Sequence, residues 1–142
     1  MREKEQAVKK KIGNPLLKTV DCIRIPVTDY HKAAVWYEEY LGLTRKDPEG
    51  NVMILGDGMW MFLGNSEGQI SHFINVNGLE RESFTFETED IATLHQSLTS
   101  SGTYVEPIVD HGGCGLQFSF KDPDGNRFHI WQDPNKTSKK NG

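Results

Sequence analysis

The chain has 142 residues, 36% of them hydrophobic and 25% charged, with a formal net charge of −4. That length builds one domain with a real core and is too short for two ordinary ones. The acidic balance, without a basic stripe joining Lys or Arg to exposed aromatics, argues against a nucleic-acid partner, and apolar runs of a few residues fall far short of the roughly 20 that cross a bilayer. Met1-Arg2-Glu3-Lys4-Glu5-Gln6 lacks the apolar core of a secretory signal, so a cytoplasmic location is expected. Cys22 and Cys114 have no CxxC spacing and form no disulfide framework, which suits a reducing compartment.

Residues 1–18 are rich in Lys and Glu, and Gly13-Asn14-Pro15 breaks any helix begun at the N-terminus. With the polar, lysine-rich residues 134–142, they are expected to be mobile ends around a single domain at 19–133. Val20 to Val27 reads as a strand, with Ile23, Ile25 and Val27 on one face and Cys22, Arg24 and Pro26 on the other. Pro26 marks the strand's end or an edge position. Thr28-Asp29 caps a helix from Tyr30 to about Leu41, with Ala33, Trp36, Tyr37, Tyr40 and Leu41 on one stripe and Gly42 as the stop. Strands are expected at Leu43–Arg45, Val52–Leu55 and Met59–Leu63, the last two joined by the hairpin signal Gly56-Asp57-Gly58.

The order then repeats. Ser83 to Thr88 alternates as a strand; Asp90 caps a helix with Ile91, Leu94, His95 and Leu98 on one face, ended by Ser101-Gly102. Strands are expected at Thr103–Val105, Leu116–Phe120 and Arg127–Trp131, the last pair joined by Asp122-Pro123-Asp124-Gly125-Asn126, where Pro fixes φ while Gly and Asn accept positive φ. The two capping Asp residues lie about sixty positions apart. The pattern predicts an α+β fold of two βαβββ modules, at about 19–64 and 82–132, forming a cupped, mostly antiparallel sheet around one pocket. A ferredoxin-like sandwich shares the early strand–helix order but does not require the second run of three strands.

Three stretches carry a family resemblance. Ile25-Pro26-Val27-Thr28-Asp29 with Trp36-Tyr37-Glu38-Glu39-Tyr40-Leu41-Gly42-Leu43, then Phe84-Thr85-Phe86-Glu87-Thr88-Glu89-Asp90-Ile91, then Phe120-Lys121-Asp122-Pro123-Asp124-Gly125-Asn126-Arg127-Phe128-His129-Ile130 together resemble the glyoxalase, bleomycin-resistance and extradiol-dioxygenase (vicinal oxygen chelate) superfamily. Metal enzymes of that superfamily hold a divalent cation with His, Glu or Gln from four strands. Counting seven residues back from each capping Asp, and taking the closing strand of each module, the resemblance puts Cys22, Phe62, Ser83 and His129 at those positions. Only a thiol and an imidazole among them bind metal well, whereas catalytic zinc keeps three protein ligands and non-haem iron uses two His and a carboxylate. No metal or other cofactor is therefore expected. A slip of one residue at the third position would bring in Glu82, its side chain then directed towards the helices.

The resemblance implies that the strand face carrying Cys22 lines the cup. Arg24 on that face is either a clamp for a substrate carboxylate or phosphate, or the partner of Glu87 in a structural ion pair. Trp60, Phe62 and Trp131 would supply apolar walls; Thr85, Gln117 and Ser119 would supply hydrogen bonds. His129, the only imidazole expected in the cup, is the candidate for acid–base work. His111, in the glycine-rich loop Asp110–Gly115, is either part of a lid or of a plain connector. The expected function is metal-independent binding of a small, partly aromatic or anionic molecule; the alternative is a divalent-metal-dependent lyase, isomerase or thiol transferase. A symmetric homodimer is expected, since open sheet edges need covering.

Overall fold

In the computed structural model, which describes residues 14–135, two four-stranded sheets are built on one plan. Strand β1 (Cys22–Val27) leads through Thr28-Asp29 into helix α1 (Tyr30–Leu41), followed by β2 (Thr44–Arg45), β3 (Val52–Ile54) and β4 (Trp60–Asn65). The second unit runs β7 (Thr85–Glu87), α2 (Ile91–Ser100), β8 (Val109–Asp110), β9 (Leu116–Lys121) and β10 (Arg127–Gln132). Sheet orders are β1-β4-β3-β2 and β7-β10-β9-β8, so each module puts its first strand beside its last. Those outer pairs are parallel and the rest antiparallel, because the helix carries the chain back across the sheet. Of the ends expected to be mobile, 1–18 and 134–142, residues 1–13 and 136–142 lie outside the described residues.

Local chemistry fixes both helices. The Asp29 carboxylate accepts from the backbone N–H of His31 at 3.0 Å, and Gly42 takes φ +68° at the other end, where a side chain would be strained. Asp90 repeats the cap, accepting from Thr93 N–H at 3.2 Å. The buried faces of α1 (Ala33, Ala34, Tyr37) and α2 (Ile91, Leu98) meet Ile25, Val27, Met53, Met61 and Leu63 from one sheet and Phe118, Phe120, Phe128 and Ile130 from the other. One core thus serves both modules. Each such aliphatic or aromatic side chain contributes about 1.5–3 kcal/mol by leaving water.

A buried polar knot locks the modules together. The Tyr37 hydroxyl donates to Asp122 Oδ2 at 2.6 Å; the Asn126 amide donates to the same oxygen at 2.9 Å and to the Pro26 carbonyl at 2.8 Å. The Asp122–Asn126 turn of the second module is therefore fastened to α1 and β1 of the first. Above it, Thr28 N–H and hydroxyl both donate to Asp124 Oδ1.

Two departures from the sequence pattern have physical causes. In place of a strand at Thr103–Val105 there is a single bridge from Val105 to Phe120, with Lys121 N–H donating to Tyr104 and Glu106 N–H to Ser119. Pro107 has no N–H to continue the ladder, and pairing resumes at β8. Between the modules, β5 (Phe73–Ile74) and β6 (Glu80–Arg81) form an additional hairpin that the strand patterning did not signal.

Candidate functional site

Strand alternation turns Arg24 on β1 and Trp60 and Phe62 on β4 away from the core. Arg24 pairs in register with Phe62 and Cys22 with Trp60. The Arg24 guanidinium is exposed and lies 5.2 Å from the Phe62 ring centroid, while Lys46 sits 5.1 Å from the centre of Trp60. The two rings meet edge to face at 6.0 Å. The result is an aromatic surface edged by two cations. The Arg24 guanidinium thus makes a cation–π contact with Phe62.

In the second sheet His129 stands opposite Thr85 on one side and Ser119 on the other. Its Nδ1 lies 2.9 Å from Thr85 Oγ1 and its Nε2 2.9 Å from Gln117 Oε1. An amide oxygen only accepts, so Nε2 carries the proton, and Nδ1 accepts from the Thr85 hydroxyl. Burial pushes the His129 pKa below its ordinary value, against the opposing pull of Glu82.

Glu82 does not point towards the helices. It precedes β7, so strand alternation does not govern it, and its carboxylate accepts from Ser119 at 2.8 Å and from Arg127 Nε at 2.5 Å. Arg127 also donates through Nη2 to Glu106 at 2.7 Å. Burial acts to raise the Glu82 carboxyl, but a backbone hydrogen bond, Ser119 and Arg127 outweigh it and hold the group below the usual range. Arg127 and Glu106 were absent from the sequence-based set, and Glu82 entered it only as the one-residue slip at the third metal position. Arg127 was legible, since it shares the alternating face of His129 and Trp131; Glu106 lies outside regular strands and gave no signal.

Trp131 is engaged at its edge: its indole N–H donates to the Cys114 carbonyl at 2.7 Å. The loop carrying His111 packs so closely there that a Cβ on Gly115 would come within 2.8 Å of Trp131 Nε1. A groove of about 840 Å³ runs between the modules, lined by Ile23, Leu43, Met59, Phe84, Phe86 and Ile130 among others. Of the expected binding residues only Thr85 and Glu87 reach it; Arg24, Trp60, Phe62, Gln117, Ser119, His129 and Trp131 lie elsewhere.

The four family metal positions do not assemble a donor set in this chain. Ser83 Oγ donates to the Ser71 carbonyl at 2.5 Å, Phe62 has no donor atom, and both His129 nitrogens are engaged. Among the described residues no three His, Cys, Asp or Glu side chains converge on one point. Both cysteines are free thiols, and no described helix is long and apolar enough to cross a membrane.

The His129 network yields a pH expectation. A folded-state pKa below the unfolded one means that protons bind the unfolded chain more tightly, so this group's stabilising contribution is present above about 6.5, the ordinary His value. It is lost as pH falls from there through the lowered native pKa. Gln117→Glu, placing a carboxylate against Nε2, should move the His129 titration upwards; NMR titration of the ring protons in both proteins reads the shift directly.

The model of the Glyoxalase/Bleomycin resistance protein/Dioxygenase superfamily matches residues 19–130. Solved structures share the fold at low identity. A fosfomycin resistance protein, FosX, from Listeria monocytogenes, crystallised with Mn(II) and sulfate, is 13% identical with a TM-score of 0.64, covering 89% of this chain and 100% of its own. A possible glyoxalase from Bacillus cereus is 22% identical with a TM-score of 0.60, covering 81% and 99%. A putative glyoxalase family protein from Bacillus anthracis is 19% identical with a TM-score of 0.62, covering 84% and 98%. No curated protein matches the sequence.

Proposed function

The chain belongs to the Glyoxalase/Bleomycin resistance protein/Dioxygenase superfamily, and from that premise we propose that it binds a small, partly aromatic or anionic molecule without a chelated metal. The observation that carries this reading is the Arg24–Phe62–Trp60–Lys46 surface. The exposed Trp60 ring and the half-buried Phe62 ring offer stacking area, and the two cations beside them favour a ligand that carries negative charge. His129, its pKa lowered by burial and its ring held between Thr85 and Gln117, adds a polar contact on the other sheet. The free thiols of Cys22 and Cys114 accord with a cytoplasmic setting.

The test joins a thermal-shift screen of aromatic carboxylates and organic phosphates with elemental analysis of protein purified without chelator. A true ligand at 100 times its Kd adds about 2.7 kcal/mol to stability. Arg24→Ala should remove that shift while changing the unliganded stability by no more than about 1 kcal/mol, the scale of an exposed cation–π contact. One equivalent of a divalent metal, lost in His129→Ala, would overturn the proposal in favour of a metal-dependent lyase, isomerase or transferase.

A further inference from the structure

The groove between the modules is separate from the positions considered so far. None of Cys22, Phe62, Ser83 and His129 lines it, and neither do Arg24, Trp60 and Lys46. At about 840 Å³ it has the size of a cleft for a drug-sized molecule. It takes in Ile23 from β1 and residues 84–89 around β7, the first strands of the two modules and each an edge strand of its sheet. Phe84, Phe86 and Leu94 are only half-buried, and the rest of their apolar surface opens into this space.

The walls are shaped by contacts of their own. The Phe84 and Phe86 rings meet edge to face at 5.1 Å. The β3–β4 turn is closed by Leu55 N–H donating to the Met59 carbonyl at 2.9 Å and Gly58 N–H donating to the Leu55 carbonyl at 2.8 Å. Asp57 Oδ1 accepts from Met59 N–H at 2.9 Å, which holds that carboxylate at the mouth. The charge around the mouth has one sign. Asp57, Glu87 and Glu89 all line the groove and are exposed. Although the chain has 16 Lys and Arg, no Lys, Arg or His is among the described residues that line it.

We infer that the inter-module groove is a second binding site, for an amphiphilic cation: a hydrocarbon body carrying one protonated or quaternary amine. The body leaves water against the apolar walls. The amine stays at the hydrated mouth among the carboxylates, so neither sign of charge has to be buried. An anion of the same shape meets repulsion from all three carboxylates, and a neutral molecule gains the walls alone. Exposed charge pairs are individually weak and screened by salt, so affinity comes chiefly from the body and selectivity from the rim. This site is independent of the ligand proposed for the Arg24–Phe62 surface, whose residues lie outside the groove.

Isothermal titration calorimetry of the full chain with decylamine, decanol and decanoate tests walls and rim together, at low salt and below micelle-forming concentrations. One decylamine per chain should bind at least tenfold more tightly than decanoate, with decanol between them. Nonylamine should bind roughly fourfold more weakly than decylamine, the effect of one methylene withdrawn from water. Asp57→Asn/Glu89→Gln should reduce the preference for amine over carboxylate at least threefold and leave decanol binding unchanged. Glu39→Gln/Glu67→Gln makes the same change in net charge at exposed positions outside the groove, and should leave that preference intact. Val20→Trp narrows the groove at a position 61% exposed, and should weaken all the decyl compounds at least fivefold. Circular dichroism checks that each variant is folded. Absence of saturable binding, equal affinity for decanoate, a preference that both double variants lower alike, or binding untouched by Val20→Trp would each overturn the assignment.

Discussion

Asp122→Ala should lower the free energy of unfolding by about 3–5 kcal/mol, since each buried polar group left without its partner costs about 1–3 kcal/mol. Asp122 is 3% exposed and Asn126 is fully buried. Removal of the carboxylate strands the Tyr37 hydroxyl and the Asn126 amide, together with the N–H groups of Asp124 and Asn126 that donate to Asp122 Oδ1. Tyr37→Phe takes away one donor and leaves three, so it should cost about 1–1.5 kcal/mol, near the net value of one hydrogen bond. Urea titration of the two variants measures both. Equal effects would mean that the Tyr37 hydroxyl bond alone carries the carboxylate's contribution and that the other three donors add nothing. Because Asn126 also donates to Pro26, loss of Asp122 should loosen β1 as well, visible as faster amide exchange in residues 22–27 than in residues 116–121.

How much of this was legible in the sequence depended on how local the determining physics is. The Asp29 and Asp90 caps, the Gly42 stop and the Asp122–Asn126 turn are set by residues within five positions of one another, and the structure places them where the pattern does. The β5–β6 hairpin has an Asn-Gly turn at Asn77-Gly78, the strongest short hairpin signal, yet its strands are two residues each. Alternation over two residues has no periodicity to read. Its apolar side chains are solvent-exposed within one chain, so burial patterning gave no help either. The Pro107 interruption was readable in principle, because a residue lacking N–H cannot continue a ladder.

The candidate site was legible in its strands and not between them. Arg24, Trp60, Phe62, Thr85, Gln117, Ser119, His129 and Trp131 all follow from alternation once the registers are known. What alternation could not supply is which charges meet. For Arg24 it left two readings, an anion clamp or a partner of Glu87, and gave no sign of the Phe62 ring over which the guanidinium lies. Glu82 and Glu106 approach Arg127 from 45 and 21 residues away along the chain, a separation no local rule bridges.

That convergence gives the second large expected effect. Arg127→Ala leaves two carboxylates facing each other without a cation, in a site where the Arg127 and Glu82 side chains are each 15% exposed. Breaking a buried pair by removing one partner costs about 3–5 kcal/mol, chiefly because the remaining charge stays in a poorly solvated place. The cost should therefore fall when the stranded charges are neutralised. Arg127→Ala combined with Glu82→Gln and Glu106→Gln should recover a large part of the lost stability, although each glutamine change alone in the wild type destabilises. The pH dependence separates this from lost packing: a carboxylate freed from its guanidinium rises in pKa, so Arg127→Ala should regain stability as pH falls towards 5, where wild type does not. The same variant should raise the His129 pKa, because the positive charge of Arg127 helps to lower it and Glu82, which acts to raise it, is no longer neutralised. Denaturant titrations from pH 5 to 8, with the His129 ring resonances followed in parallel, decide the matter. An Arg127→Ala loss that is independent of pH and unrelieved by the two glutamine changes would show that Arg127 acts through its alkyl stem, and that the Glu82–Arg127–Glu106 network contributes little to holding the face on which His129 sits.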